Sequence, residues 1–412
     1  MKKEKRFDMN ATTCKPTKLL VFLERILSWG WLLFNPAKID KKDIKGIKGP
    51  VLCLSNHASM IDFPICVKAL HPMTTTWVVS VEEWDGKSWL FDRMGMIPKR
   101  KFTHGPVTVK NVFTAIKKKN QTVTIYPEAR FVMGGINERL DDALGKLVKR
   151  LNVPLFIIMI HGNFLRSPQW CKHPYRDIPV EAKIYQLVSK EETQALSEDE
   201  IQKRIEDAFS YDEYKWQYDN KYAMKSKSRA LNIHKLLYKC PHCKAEFKTN
   251  SDGTSIWCEE CGHKWEMDEY SRLHAVEGET YFEHVPDWYK WERAEVRAEI
   301  EAGTYKFEDD VILHHHINTK IMRNEGTVHC VHDKNGYTVN GKLISGEDFY
   351  LNKSVPSMYS VHIEYDFRKK GAAFELATDK DTYFLYPVNA TNPLTKLHLA
   401  TEELYNYYVR EK

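Results

Sequence analysis

Short apolar runs alternate with longer amphipathic segments over the first half of the chain. Residues 51–54, 122–125 and 154–160 are almost continuously apolar, which is typical of strands that are covered on both faces. Between them, residues 107–119 place apolar side chains at helical spacing and end in lysines, which favour a helix C-terminus. Strands that alternate with helices predict an α/β domain, with a parallel sheet flanked by helices.

A pattern with a period of two residues begins at residue 309. It predicts β-strands separated by turn motifs such as Asn340-Gly341, with a helix over 287–302 before them and a helix over 393–409 after them. Several antiparallel strands closed by one helix resemble, in pattern, the pleckstrin-homology-like barrel, whose members bind partners, peptides or lipid headgroups. We therefore expect an α+β domain at the C-terminus. The predicted strands are 311–318, 326–332, 337–343, 359–367, 372–378 and 382–388.

The apolar segment over residues 19–34 contains Glu24 and Arg25 and is too short to span a bilayer. No small-residue cleavage site follows it, so we do not expect a signal peptide. As a helix it carries a wide apolar stripe with Trp29 and Trp31, which predicts a helix lying in the headgroup region of a membrane. A helix packed on the domain core in the ordinary way is the alternative.

Composition sets bounds on the number of domains and on the partners. The 412 residues are long enough for two or three domains at about 150 residues each. A net charge of +5 is compatible with an anionic membrane surface but is too small to indicate nucleic acid, which we do not expect as a partner. We divide the chain into an amphipathic membrane-surface segment (1–36), an α/β domain (37–215), a linker and metal-binding module (216–270), a helical connector (271–308) and a mostly β domain that ends in a helix (309–412).

His57 and Asp62 directly follow the apolar run at 51–54. A histidine at the end of a strand or loop and an aspartate one turn into the next helix can face one pocket. An imidazole that a carboxylate orients can take the proton of a hydroxyl, which is otherwise a poor nucleophile at neutral pH. The pair therefore predicts acyl transfer to a hydroxyl that the substrate provides, although one histidine and one acid at this spacing also arise by chance.

Three later segments give the pair a context. They are Gly95-Met96-Ile97-Pro98-Lys99-Arg100-Lys101, Tyr126-Pro127-Glu128-Ala129-Arg130, and a Val-Pro strand that begins at Val153. Four blocks of this kind in this order resemble the glycerolipid acyltransferase family, in particular the 1-acylglycerol-3-phosphate acyltransferases, over residues 15–210. The family has a histidine–aspartate pair, a glycine block ending in arginine, a Pro-Glu-Gly-Thr-Arg block and a Val-Pro strand.

The resemblance implies that Arg100 or Lys101, with Glu128 and Arg130, binds an acceptor that carries a phosphate. Either Arg100 or Lys101 can fill the family's arginine position. The third block is one residue shorter here than the family's Glu-Gly-Thr-Arg, which brings Arg130 closer to Glu128. A solvated basic turn at 99–101 and a structural ion pair between Glu128 and Arg130 are the alternatives.

Two Cys-x2-Cys pairs, Cys240 with Cys243 and Cys258 with Cys261, have the spacing of a zinc ribbon. Four thiolates leave no open coordination position, so we expect a structural Zn²⁺ rather than a catalytic one. An iron site of the rubredoxin type has the same sequence pattern. Nine cysteines used in this way indicate a reducing compartment.

Together these features predict a membrane-associated O-acyltransferase, with His57 as the general base oriented by Asp62. The resemblance implies acyl-CoA or acyl carrier protein as the acyl donor, and a lysophospholipid or glycerol-phosphate-type acceptor. It also implies membrane lipids as partners and a cytoplasmic location, peripheral at the inner face of the membrane. The alternative is a catalytically decayed scaffold that recognises a partner through the ribbon and the C-terminal domain.

Overall fold

The computed structural model describes residues 5–10, 14–47, 49–103, 105–318 and 320–411. In these residues three β-sheets follow one another along the chain, and each lies in a different part of the predicted domain layout. The first belongs to the α/β domain, the second to the cysteine-rich module and the third to the C-terminal domain.

The first sheet has seven strands in the spatial order β1-β7-β6-β2-β5-β3-β4. Its central strands are parallel, as predicted, but β7 pairs antiparallel with β6, so the sheet as a whole is mixed. The strands are β1 (Lys38–Asp40), β2 (Leu52–Ser55), β3 (Thr75–Ser80), β4 (Ile97–Lys99), β5 (Thr122–Ile125), β6 (Leu155–His161) and β7 (Glu181–Val188).

Helices flank this sheet. The two helices predicted in this part of the chain, over 19–34 and 107–119, are present at Lys18–Phe34 and Pro106–Phe113. The helix expected over 107–119 is an α-helix that continues as a π-helical turn, Thr114–Lys118. The helices are α1 (Lys18–Phe34), α2 (Asp62–Leu70), α3 (Ser88–Arg93), α4 (Pro106–Phe113), α5 (Leu144–Leu151), α6 (Asn163–Arg166), α7 (Lys190–Ala195), α8 (Glu198–Ala208) and α9 (Glu213–Asp219).

Helix α1 packs against α2 and leaves most of its large apolar side chains exposed. Arg25 donates a hydrogen bond to the carbonyl of Pro72 at 2.7 Å, and Val21, Ser28 and Leu32 are the buried residues of the helix. Its large apolar side chains are instead exposed to solvent. They are Leu19, Phe22, Leu23, Ile26, Leu27, Trp29, Trp31, Leu33 and Phe34. The helix thus packs on the domain through one narrow face, and the membrane association of its wide apolar face stays a prediction. Among the described residues, no helix combines the length and hydropathy needed to cross a membrane.

The second sheet is small and antiparallel, in the order β11-β10-β9-β8. Its strands are β8 (Thr249–Asp252), β9 (Ser255–Cys258), β10 (Lys264–Met267) and β11 (Leu273–Ala275), and helix α10 (Val285–Glu301) follows. Trp265 of β10 packs against Trp288 of α10, with ring centroids 4.9 Å apart. Both indoles are buried, so this contact fixes the cysteine-rich module against α10.

The third sheet has seven antiparallel strands in the order β15-β14-β13-β12-β18-β17-β16. In the described residues its end strands, β15 and β16, do not pair with each other, so the expectation of a closed barrel is wrong. Helix α11 (Leu394–Tyr405) ends the chain and continues as a π-helical turn. The strands are β12 (Phe307–Asn318), β13 (Ile321–Asp333), β14 (Gly336–Lys342), β15 (Asp348–Lys353), β16 (His362–Glu364), β17 (Ala373–Ala377) and β18 (Thr382–Pro387).

The C-terminal domain packs directly on the α/β domain, and one apolar core runs through both, from Leu52 of β2 to Leu404 of α11. Arg130 joins the two domains. Its guanidinium lies 2.8 Å from Glu138 and 2.6 Å from Glu402 of α11. All three side chains are almost completely buried. Removal of one partner from a buried ion pair typically costs about 3–5 kcal/mol, so these contacts hold the two domains in a fixed relation.

Candidate active site

Parallel strands place the residues that follow them along one edge of a sheet. His57 follows β2, Arg100 follows β4 and Glu128 follows β5, and these strands run parallel, with β3 between β5 and the edge strand β4. The three sequence blocks therefore meet at the carboxyl edge of the first sheet, although they lie far apart in the chain. This edge is the usual place for a site in an open α/β sheet.

His57 and Asp62 are in contact, as the sequence predicts. Asp62 is the first residue of α2, and its Oδ2 lies 3.0 Å from Nδ1 of His57. The same oxygen accepts hydrogen bonds from the backbone N–H groups of Ala58 and Ser59, at 2.6 and 2.8 Å. Those groups can only donate, so Oδ2 is an acceptor, and a hydrogen on Nδ1 of His57 fits this arrangement.

The other oxygen of Asp62 has its own partner. Asn163, the first residue of α6, donates from Nδ2 to Oδ1 of Asp62 at 2.5 Å and to Oγ of Ser59 at 2.8 Å. The carboxylate is completely buried. Donors on both oxygens compensate for its desolvation and prevent the side chain from rotating away from His57.

Two aromatic rings hold the imidazole of His57. Tyr126 stacks on it with ring centroids 3.8 Å apart and an interplanar angle of 10°, and Phe131 lies at 4.4 Å. The His57 side chain keeps 19% of its surface exposed. With Nδ1 on Asp62, the second ring nitrogen, Nε2, is the one that can exchange a proton with a substrate.

Glu128 binds the backbone of the loop that carries His57. Its Oε2 accepts a hydrogen bond from the backbone N–H of His57 at 2.9 Å, and its Oε1 accepts one from the hydroxyl of Tyr211 at 2.6 Å. Burial raises the pKa of Glu128 to about 8, and the hydrogen bonds from Tyr211 and His57 offset only part of that rise. The structure therefore places Glu128 as a positioning residue for the loop. The alternative of an ion pair between Glu128 and Arg130 is wrong, since Arg130 pairs with Glu138 and Glu402. A role of Glu128 in substrate binding stays a prediction.

The cationic residues predicted to bind an acceptor all contact the C-terminal domain. Arg100 donates to Oγ1 of Thr382 at 2.6 Å and to the carbonyl of Lys380 at 2.8 Å, and it is buried. Lys101 lies 3.4 Å from Glu375. The interpretation of residues 99–101 as a solvated turn is therefore wrong. The role of Arg100, Lys101 and Arg130 in acceptor binding stays a prediction, and it would require them to exchange their present partners.

Sequence reasoning missed Asn163 and Tyr211. Asn163 follows β6 as His57 follows β2, so a polar residue placed directly after an apolar strand could have identified it. It stands next to Gly162, whose φ of +82° and whose approach to the carbonyl of Pro179 leave no room for a Cβ atom. Tyr211 lies in a connecting segment before α9, and no local pattern connects it with Glu128.

The four cysteines of the ribbon converge. Their sulfur atoms lie within 4.8 Å of one another, with 3.8 Å between Cys240 and Cys261 and 3.7 Å between Cys243 and Cys258. A tetrahedral Zn²⁺ with Zn–S bonds of about 2.3 Å would separate its sulfurs by about 3.8 Å. The donor set therefore fits one zinc ion. His242 and His263, the neighbouring histidines, bond instead to the hydroxyl of Tyr281 and the carbonyl of Glu279.

Comparison with known proteins finds a similarity over part of the chain. Residues 35–161 match the family model described as Acyltransferase. The chain is similar to the crystal structure of the 1-acyl-sn-glycerophosphate (LPA) acyltransferase PlsC from Thermotoga maritima, at 16% sequence identity and a TM-score of 0.38, over 46% of this chain and 76% of that chain. No curated protein sequence matches the chain. The matched segment contains His57, Asp62, Arg100, Glu128 and Arg130 and ends before Asn163.

Metal analysis tests the ribbon. We expect about one zinc ion per chain in the purified protein, and a strong loss of zinc in Cys258→Ser. Cys14→Ser is the matched control, because Cys14 lies far from the ribbon in the sequence and its thiol donates to a backbone carbonyl. Iron in place of zinc, or equal zinc in both variants, would contradict the assignment.

The raised pKa of Glu128 predicts a pH dependence of stability. The unfolded chain releases this proton near pH 4.5 and the folded protein near pH 8, so the free energy of unfolding should fall as the pH rises between these values. In Glu128→Gln the fall should be smaller by a few kcal/mol, on the order of one per pH unit. Urea unfolding at several pH values measures it, and parallel curves for the two proteins would contradict the burial argument.

Proposed function

We propose that the protein transfers a fatty acyl group from an acyl thioester to the hydroxyl of a glycerolipid acceptor, a proposal supported by the match of residues 35–161 to the Acyltransferase family model. The acceptor is of the lysophospholipid or glycerol-phosphate type, and the thioester is acyl-CoA or an acyl carrier protein. The contact between Nδ1 of His57 and the buried Asp62 carboxylate is the observation that carries the proposal.

In the proposed reaction, Nε2 of His57 takes the proton of the acceptor hydroxyl. The oxygen attacks the carbonyl carbon of the thioester, so that a C–O bond forms and the C–S bond then breaks. The imidazolium returns the proton to the departing thiolate, which restores His57. The products are an ester and a free thiol, and no group on the protein becomes acylated.

Asp62 has two functions in this scheme. It fixes the proton of the neutral imidazole on Nδ1, which leaves the lone pair of Nε2 facing the substrate. It also stabilises the imidazolium that forms as the hydroxyl is deprotonated. Since Asn163 and two backbone N–H groups hold the carboxylate, it needs no reorganisation during the reaction.

Helix α1 would bring this site to a lipid surface. Its wide apolar face is exposed, while the narrow face with Val21, Ser28 and Leu32 packs towards α2, whose first residue is Asp62. A contiguous apolar patch of this kind, with two tryptophans, favours insertion into the headgroup region of a bilayer. We propose a peripheral association with the inner, cytoplasmic face of a membrane, in keeping with the reduced cysteines of the ribbon.

Product analysis tests the catalytic roles. Purified protein, an acyl donor and a panel of lysophospholipids should yield acylated product by mass spectrometry, and His57→Ala should lower the rate by about 10²–10⁴-fold. Asp62→Asn should lower kcat strongly while the fold is kept. His274→Ala, which removes a histidine that pairs with Asp268 in the ribbon, is the matched control. Equal product from wild type and His57→Ala would contradict the role of His57 as base, and no product from either protein would favour the decayed scaffold.

Vesicle co-sedimentation tests the role of α1. Leu27→Asp should lower the fraction bound to vesicles of phosphatidylethanolamine and phosphatidylglycerol by roughly tenfold or more, since a leucine side chain no longer enters the apolar layer. Ile344→Asp is the matched control, because Leu27 and Ile344 are both 72% exposed and Ile344 lies in the C-terminal domain. Equal binding by the two variants would contradict the docking of α1.

A further inference from the structure

The cationic side chains near the carboxyl edge of the first sheet differ in their burial and in the protein groups that they contact. Arg130 contacts Glu138, Glu402 and the hydroxyl of Ser360, and its side chain is 1% exposed. A phosphate could reach it only by displacing two carboxylates from a buried site. Arg100 is buried in the same interface and donates to Thr382.

Lys172 is in a different situation. It lies in the segment after α6, and its side chain is 49% exposed. Its ammonium group lies 5.8 Å from the ring centroid of Phe131, the same ring that lies 4.4 Å from the imidazole of His57. Lys172 therefore places a solvent-accessible positive charge beside the proposed base, with one aromatic ring between them.

Two hydrogen bonds hold the segment that carries Lys172 in place. Oγ of Ser167 donates to the carbonyl of Lys172 at 3.1 Å, and Gln169 donates to the carbonyl of Ile363 in the C-terminal domain at 2.7 Å. The lysine thus projects from a fixed segment at the contact of the two domains. A cation held in this way can serve as a point of attachment for an anionic group.

The present partner of Lys172 is exchangeable. Its ammonium lies 3.1 Å from Glu364, and an ion pair of which one member is half-exposed contributes little free energy. Glu364 also lies 3.4 Å from Nε2 of His362, so it keeps a partner when Lys172 turns towards a ligand. The contact with Glu364 is thus a resting position of the lysine.

We infer that Lys172 binds the phosphate group of the acceptor while His57 takes the proton of its hydroxyl. In a glycerol-phosphate-type acceptor these two groups are separated by a few bonds, and the Phe131 ring that separates Lys172 from His57 provides an apolar floor between them. The inference rests on the proposed acyl transfer and specifies how its acceptor is recognised. It assigns acceptor recognition to a residue outside the segment that matches the acyltransferase family.

Steady-state kinetics with two acceptors tests this role. For Lys172→Ala we expect the KM of lysophosphatidic acid to rise roughly tenfold, because a charge-assisted contact is lost, with kcat changed less than about twofold. The KM of monoacylglycerol, which has no phosphate, and the KM of acyl-CoA should stay unchanged. Lys172→Arg should recover most of the loss. Lys215→Ala is the control, since Lys215 is an exposed lysine paired within its own helix.

A second variant acts in the opposite direction. Glu364→Gln removes the charge that competes for Lys172, so the KM of lysophosphatidic acid should fall by roughly two- to fivefold. An unchanged KM for lysophosphatidic acid in Lys172→Ala would overturn the inference. So would an equal rise for monoacylglycerol. A rise confined to acyl-CoA would also overturn it, because the phosphate would then belong to the donor.

Binding without turnover separates this inference from the proposed function. Lysophosphatidic acid is titrated calorimetrically into wild type and Lys172→Ala in the absence of an acyl donor, below its micellar concentration. Weaker binding by the variant supports the role of Lys172 even if no acyl transfer is detected. Equal binding overturns it even if both proteins are active.

Discussion

The Asp62 carboxylate is the group on which the arrangement of the proposed site depends. It lies at the first turn of α2 and receives hydrogen bonds from the His57 ring, from two backbone N–H groups of the preceding loop and from Asn163. A carboxylate without water needs such donors, since an unpaired buried charge is very costly. The same contacts that stabilise the charge therefore fix the loop and the direction of the imidazole, so local stability and proposed chemistry have one origin.

A second constraint comes from the C-terminal domain. Its helix α11 supplies Glu402 to Arg130, and its strand β18 supplies Thr382 to Arg100. Both arginines lie in blocks that resemble the phosphate-binding blocks of glycerolipid acyltransferases, but here they join two parts of one chain. The core shared by Leu52 and Leu404 makes this contact permanent in the folded protein. In our proposal Lys172, at the margin of this contact, therefore lies beside the phosphate of the acceptor, since Phe131 lies against both Lys172 and His57.

Much of the first domain could be predicted from the sequence, because its strands and the contact of His57 with Asp62 depend on residues that are close together in the chain. The strand at 122–125 has the predicted bounds, and the histidine–aspartate contact follows from a strand end and a helix start five residues apart. The cysteine cluster follows from two tight turns. Strand β15 was missed because it is an edge strand with mostly exposed side chains and no clear apolar alternation. The predicted strand 359–367 is reduced to β16 at His362–Glu364, and a 3-10 turn, Phe367–Lys369, takes its end.

The partners of the basic residues could not be foreseen in the same way. Glu402 lies 272 positions after Arg130, and Thr382 lies 282 positions after Arg100. Nothing in either local sequence indicates the other, since the pairing depends on how the two domains pack. A charged motif in one domain thus predicts a type of interaction, while the packing of another domain decides whether the partner is a ligand or the protein itself.

Direct transfer to the acceptor oxygen, with His57 as base, is the central claim, and rapid-quench analysis of wild-type protein with an acyl thioester tests it most directly. We predict that ester product appears only when a hydroxyl acceptor is present, and that the intact mass of the protein stays unmodified with and without acceptor. An acylated protein that forms without acceptor and decays when acceptor is added would contradict the account, because the attacking group would then belong to the protein.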